Sequence, residues 1–205
     1  MNGLELFLRE HAIVHSAELV KGESRSTEDT VLRDLDETQM RARPHGLNSL
    51  AWIFWHIARY EDVAVNAVVA ARPQVFDEGG WAVRLGIDRR DMGTGMNAEE
   101  VALLSEQIAV PALRAYRLAV GGRTRDVAEA LPEDDWERIV GAEGVGRASA
   151  QGAFGPYPEA AWVERRLWPG KSHAWFLHWL GVGHNLMHIG QARWVRKLIL
   201  GKGMV

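Results

Sequence analysis

Apolar residues in this chain recur at spacings of three and four, and that period confines it to helices. Leu50, Ile53, Phe54 and Ile57 fall on one stripe, and Val63 and Val68 carry the apolar run onward, the pattern of a helix with 3.6 residues per turn. No run of β-branched residues alternates with period two for long enough to build a sheet, so the expected class is all-α. Four long helices are expected. The first spans Gly3 to about Lys21, with Leu4, Phe7, Leu8, Val14 and Leu19 inward, before the polar stretch Glu23 to Asp29 and a short helix around Val31 to Met40. The second is capped by Asn48 and stops before Pro73. Asn97 and Glu100 open the third as an N-x-x-E capping box, Pro111 kinks it and Gly121-Gly122 ends it. Ser172 caps the fourth, which continues to about Leu200, a span of ~43 Å, and stops at Gly201. Four such helices form a bundle, here in a single domain over residues 1–205.

The connections Pro73 to Met96 and Arg123 to Lys171 are longer than bundle packing needs and are expected to form a lid. The second combines Gly141, Gly144, Gly146, Gly152 and Gly155 with Phe154, Tyr157, Trp162 and Trp168, and short helices are expected at Asp126 to Leu131 and Glu133 to Val140. With 205 residues, 47% hydrophobic and 25% charged, one ordinary core is enough. A net charge of −3 and a pI near 6.2 give no basic footprint, which argues against nucleic acid as a partner. Met1 to Glu10 lacks a basic region followed by an apolar run, and no apolar stretch approaches the ~20 residues of a membrane span, so a soluble cytoplasmic protein is expected. The chain has no cysteine. That excludes disulfides, thiolate-ligated metals and a protein thiol nucleophile, so any thiol chemistry must come from a cosubstrate.

His184 and His188 stand four apart on the fourth helix, where two imidazoles share a face about 5 to 6 Å apart and can bind one divalent ion. Their seam runs Leu177, Gly181, His184, His188, Gln191, Val195 and Leu198. Apolar residues at both ends place the pair inside the bundle, where an unpaired polar group costs roughly 1 to 3 kcal/mol. The seam of the second helix, Ser49, Ile53, His56, Tyr60, Val63 and Ala67, offers His56 as a third ligand. Three neutral imidazoles leave positions open on zinc, nickel, iron or manganese, as a catalytic site requires. The spacing by itself also fits satisfied core histidines. A second such pair, His11 and His15, lies on the inner stripe of the first helix with Leu4, Leu8 and Glu18, and no role is assigned to it.

The stretch Leu50-Ala51-Trp52-Ile53-Phe54-Trp55-His56-Ile57-Ala58-Arg59-Tyr60-Glu61, followed at a distance by Gly183-His184-Asn185-Leu186-Met187-His188-Ile189-Gly190-Gln191, resembles the DinB-like superfamily over most of the chain. Gly80-Trp81-Ala82-Val83-Arg84 also resembles a family loop. The resemblance implies an up-down-down-up four-helix bundle with a metal on His56, His184 and His188. It implies an enzyme that activates a low-molecular-weight thiol such as mycothiol, bacillithiol or glutathione for transfer or isomerisation, with zinc or nickel the leading metals and a small molecule as substrate. Gln191, Tyr60 and Trp81 are the candidate substrate or outer-shell contacts. Two other readings stand beside this one: a metal-dependent hydrolase using Glu18 or Glu61 as proton acceptor, and a noncatalytic, stress-related binder of a metal or small ligand. For Glu61 the expected fate is a helix-surface salt bridge.

Trp52 and Trp55 lie off the His56 seam, which makes the second helix apolar on more than one face and points to a homodimer. Trp175, Trp179 and Trp194 are expected in core or interface. Trp81, Trp136, Trp162 and Trp168 lie in connections, where they can pack locally or line a pocket.

Overall fold

A computed structural model of the chain describes residues 2–20 and 26–201. Its elements are helical throughout, and among the described residues the one strand-like feature is an isolated bridge between Ile139 and Ser172. In order they are α1 (Gly3–Val14), α2 (Thr27–Leu32), α3 (Glu37–Arg41), α4 (Leu50–Asp62), α5 (Val75–Glu78), α6 (Trp81–Leu85), α7 (Ala98–Gln107), α8 (Val110–Ala130), α9 (Ala142–Ala150), α10 (Pro158–Trp162), α11 (His173–Trp175) and α12 (His184–Ile199). Helix α4 runs on as a π-helix over Val63–Val69, and the π-helical segment Phe176–Gly183 joins α11 to α12. Helix α4 packs on α8 and α12, and α1 packs on the π-helical segment before α12. Among the described residues no helix is long and apolar enough to cross a membrane.

Local chemistry explains the element ends. Asn2 and Glu5 form a reciprocal capping box on α1, and Asn97 and Glu100 form the expected one on α7. Ser49, one residue after the expected Asn48, caps α4 by accepting from the Trp52 amide, and Ser172 caps α11 by accepting from Trp175. Gly201 ends the last helix with φ +62°.

Several expectations need correction. Helix α1 stops at Val14 because His15 takes an extended backbone, and the expected end at Lys21 lies outside the described residues. The helix around Val31 to Met40 is two short ones, α2 and α3, split where Asp34 turns to φ 58°. Pro111 does not kink a third helix. It sits in the first turn of α8, where its missing amide hydrogen costs nothing, after the chain breaks at Ile108 and Ala109. Gly121-Gly122 is no stop either, since α8 continues to Ala130 and absorbs most of the short helix expected at Asp126 to Leu131. A Cβ on Gly121 would lie 2.7 Å from His15 Nδ1, so the glycine there makes room for α1. The helix expected at Glu133 to Val140 is only a 3-10 turn at Glu133–Asp135.

Every residue from Leu50 to Val69 is buried. The part up to Ala58 belongs to one apolar cluster with Leu113, Tyr116, Ile189 and Val195, and the part from Tyr60 to a second with Phe7, Trp168, Phe176 and Leu180. Between them the helix carries Arg59, Glu61 and Asp62, all fully buried. Trp52 and Trp55 are 6% and 0% exposed, so their bulk fills this chain's own core and neither offers a face to a second copy. Trp168 is fully buried as well, whereas Trp162, Trp179 and Trp194 lie open on the surface.

Candidate metal centre

The three histidines singled out by their seams converge. One ligand nitrogen each from His56, His184 and His188 lies within 4.8 Å of the others. Their ring centroids are 5.2 Å (His56 to His184), 4.8 Å (His56 to His188) and 4.5 Å (His184 to His188) apart. His56 and His184 are buried, and His188 is half-buried. Trp52 stacks on the His56 ring at 4.6 Å, and Tyr60 packs against His184 at 4.5 Å and His56 at 4.9 Å, so aromatic faces wall the group.

The outer hydrogen bonds decide which nitrogens point inward. His56 Nδ1–H donates to the Met92 carbonyl at 2.6 Å, and His188 Nδ1–H donates to Gln191 Oε1 at 3.0 Å. Both acceptors are carbonyl oxygens, so each ring carries its hydrogen on Nδ1 and keeps the lone pair on Nε2, the arrangement an outer shell imposes on metal-binding imidazoles. His184 Nδ1 is buried without a partner. Burial, then the neighbouring His188, pushes His56 down to about 3. His184 is held well below the usual range by burial and by His56 and His188, and burial lowers His188 too. Three neutral imidazoles in a group walled by aromatics fit a divalent ion in place of protons.

The connection after α6 reaches this group as a strap. Met92 supplies the carbonyl for His56, and Thr94 Oγ1 shares a 2.6 Å hydrogen bond with the Tyr60 hydroxyl. Burial raises that hydroxyl above its ordinary range. The strap is fixed from below: Arg59 donates to the Arg90 carbonyl and, at 2.6 Å, to Gln74 Oε1, while Asp62 accepts from the Val75 and Phe76 amides at 2.8 and 2.9 Å. A cavity of about 630 Å³ lies beside the strap, lined by Arg89, Asp91, Glu100, Leu104, Phe154 and Gly155 and by none of the three histidines. Trp81 packs on Tyr116 at 5.3 Å and under Arg84, and its ring contacts among the described residues do not include the three histidines.

A second polar group lies deeper. His11 Nε2 is 2.9 Å from Glu61 Oε1, His15 Nε2 is 3.0 Å from Oε2, and the two imidazoles stack at 4.1 Å. Thr124 Oγ1 donates to Oε1 at 2.8 Å, Asn185 Nδ2 to Oε2 at 2.9 Å, and the Arg117 guanidinium stands 3.4 Å from Oε2. The ligand atoms of His11, His15 and Glu61 are also within 4.8 Å of one another. With donors on both oxygens and a guanidinium alongside, we read this group as a hydrogen-bonded junction of α1, α4, α8 and α12. Burial pushes the Glu61 carboxyl up, and the His15 and His11 imidazoles hydrogen-bonded to it more than reverse it, leaving it well below the ordinary range. The surface salt bridge expected for Glu61 is therefore replaced by a fully buried one. Glu18, the other proton acceptor considered, is exposed on the turn after α1.

The family model of the DinB superfamily matches residues 23–192. The chain belongs to the DinB superfamily. A crystal structure of a conserved protein from Enterococcus faecalis is similar over 98% of this chain and 99% of its own, with a TM-score of 0.68 and 17% identity, a likeness of fold. No curated protein matches the chain.

Sequence reasoning missed Arg59, Asp62, Thr94, Asn185, Arg117 and Thr124. For the first two a signal existed, since charged residues inside a helix apolar on all sides must be buried and paired. The others act across elements far apart in sequence, and their spacing carries no trace of it.

Proposed function

We propose that this DinB-superfamily chain is a divalent-metal-dependent enzyme of S-transferase or isomerase type that uses a low-molecular-weight thiol, with His56, His184 and His188 as ligands and zinc or nickel as the metal. The observation that carries the reading is the convergence of three neutral imidazoles, two of them oriented through Nδ1 by Met92 and Gln191. A divalent ion held there would keep a bound thiol ionised at neutral pH. The chain supplies the rest. Gln191 orients His188, Tyr60 and Trp52 shield the reacting region from water, and the Met92 strap fixes His56. The absence of cysteine removes competition from a protein thiol.

The hydrolase reading has no comparable support, because Glu61 is locked in the buried junction and Glu18 is on the surface. The proposal includes the up-down-down-up bundle arrangement, a small electrophilic substrate and a cytoplasmic setting, where a thiol cosubstrate stays reduced. It also includes a homodimer formed through the open apolar stripe Trp179, Leu186, Met187, Trp194 and Leu198, which are 40 to 53% exposed.

Elemental mass spectrometry on untagged protein purified without chelator, beside the His184→Ala/His188→Ala double variant, tests the metal. Near-stoichiometric metal lost in the variant is the expected result, and no metal in either after zinc and nickel addition refutes the site. Assays of the loaded protein with mycothiol, bacillithiol and glutathione against an electrophilic dye then test the chemistry. Stoichiometric metal without thiol-dependent turnover would leave the noncatalytic binder in place of the enzyme.

A further inference from the structure

The last helix changes its hydrogen bonding at the position where its metal ligands begin. Over Phe176–Gly183 it is π-helical, and the His184 amide still bonds five residues back, to Trp179. From His184 onward it is α-helical. Where five-residue bonding gives way to four-residue bonding, one carbonyl loses its amide, and a buried carbonyl without a donor is costly. Asn185 stands at this junction. Its fully buried Nδ2 donates to the carbonyls of Leu180 (3.1 Å) and Gly181 (2.9 Å) and to Glu61 Oε2 at 2.9 Å. One residue gained or lost in the hydrogen-bond register turns all that follows by about 100°, so the directions of His184 and His188 depend on keeping this irregular turn.

Glu61 is five residues after His56 on α4, and Asn185 directly follows His184. The link between them therefore joins the two helices that carry the ligands, beside the ligands themselves. Glu61 is in turn held from α1 by His11 and His15 and from α8 by Thr124 and Arg117. We propose that Asn185, anchored on Glu61, is a positioning residue for the metal site: it holds the π-to-α junction in register so that His184 and His188 face His56. The inference rests on the three-histidine reading and adds to it a residue that touches neither metal nor substrate.

Thr124 provides the control, because Thr124→Val removes a different hydrogen bond to the same carboxylate, from a helix without ligands. Cobalt(II) is the probe, followed by its visible absorption bands and by competition with a chelator of known affinity. Asn185→Ala is expected to weaken cobalt binding by 10- to 100-fold, the usual effect of losing an outer-shell partner, and to shift the bands. Thr124→Val is expected to lower the melting temperature comparably while leaving affinity within about twofold and the bands in place. If Asn185→Ala does not fold, Asn185→Ser replaces it, since serine can bond the carbonyl four residues back but is too short to reach Glu61. Wild-type affinity and bands in the Asn185 variants, or an equal loss in Thr124→Val, would overturn the positioning role alone. A wild-type protein that takes up no cobalt, like the His184→Ala/His188→Ala variant, would overturn the metal site and the positioning role together.

Discussion

Replacing Glu61 by leucine separates two accounts of this residue by several kcal/mol. A carboxylate in a helix-surface ion pair contributes 0.2 to 1 kcal/mol, about what its loss would cost. In the structure Glu61 is fully buried and receives His11, His15, Thr124, Asn185 and Arg117. Leucine matches the volume roughly but accepts no hydrogen bond, so these donors lose their acceptor inside the protein. Breaking a buried charged pair from one side costs about 3 to 5 kcal/mol. Arg117 keeps Glu28, at 2.7 Å, and the Val14 carbonyl, at 3.1 Å, which holds the total toward the lower end. The expected loss is about 3 kcal/mol, or ~6 to 12 °C in melting temperature for a domain of this size. Urea unfolding of metal-free wild type and Glu61→Leu, followed by circular dichroism, measures it. A change under about 1 kcal/mol with an unchanged slope would refute the junction and restore the surface account.

Other outcomes follow from the same geometry. His15, lowered by burial and Arg117, and His56, lowered by burial and His188, both titrate near 3 when folded and near 6.5 when unfolded. Between those values the unfolded chain binds more protons, so stability of the metal-free protein is full above about 6.5 and falls as the pH drops toward 3. At pH 5 His15 alone accounts for a loss of up to about 2 kcal/mol, and equal urea midpoints at pH 7.5 and 5 would contradict this. Gly93 has φ +78°, and a Cβ there would lie 2.5 Å from the Trp55 ring. Gly93→Ala should therefore lift the strap from His56, lowering melting temperature and metal affinity together, and a variant with wild-type values of both would show the strap to be unimportant. Trp55→Ala should cost about 3 to 5 kcal/mol in the core without changing the mass of the folded protein in light scattering. A smaller species at unchanged stability would return Trp55 to an interface.

How legible the site was depended on whether its parts shared a helix. His184, His188 and Gln191 lie within two turns of one another and His56 lies on the inward seam of the second helix, so periodicity nominated the donor set, although His11 and His15 on the inner stripe of the first helix met the same test. The fold class was legible for the same reason: long apolar stripes state their period regardless of tertiary context. Helix ends were legible where a cap is local, as at Asn97 and Ser172, and not where packing overrides a breaker. Gly121 looks like a stop, yet it is the small residue that lets α1 bring His15 to Glu61. The π-helix at Val63–Val69 left no mark in the spacing of apolar residues, because an inserted residue is absorbed when all faces of the helix are buried. Asn185 and Glu61 then read separately as a polar residue between two histidines and a charge at a helix surface, and only their contact across 124 positions makes them one unit. The three histidines of this chain were thus visible as candidate donors before they were visible as one group. Glu61, the buried charge beside them, takes its partners from α1, α8 and α12, and such partners are settled by three-dimensional packing that no single stretch of sequence contains.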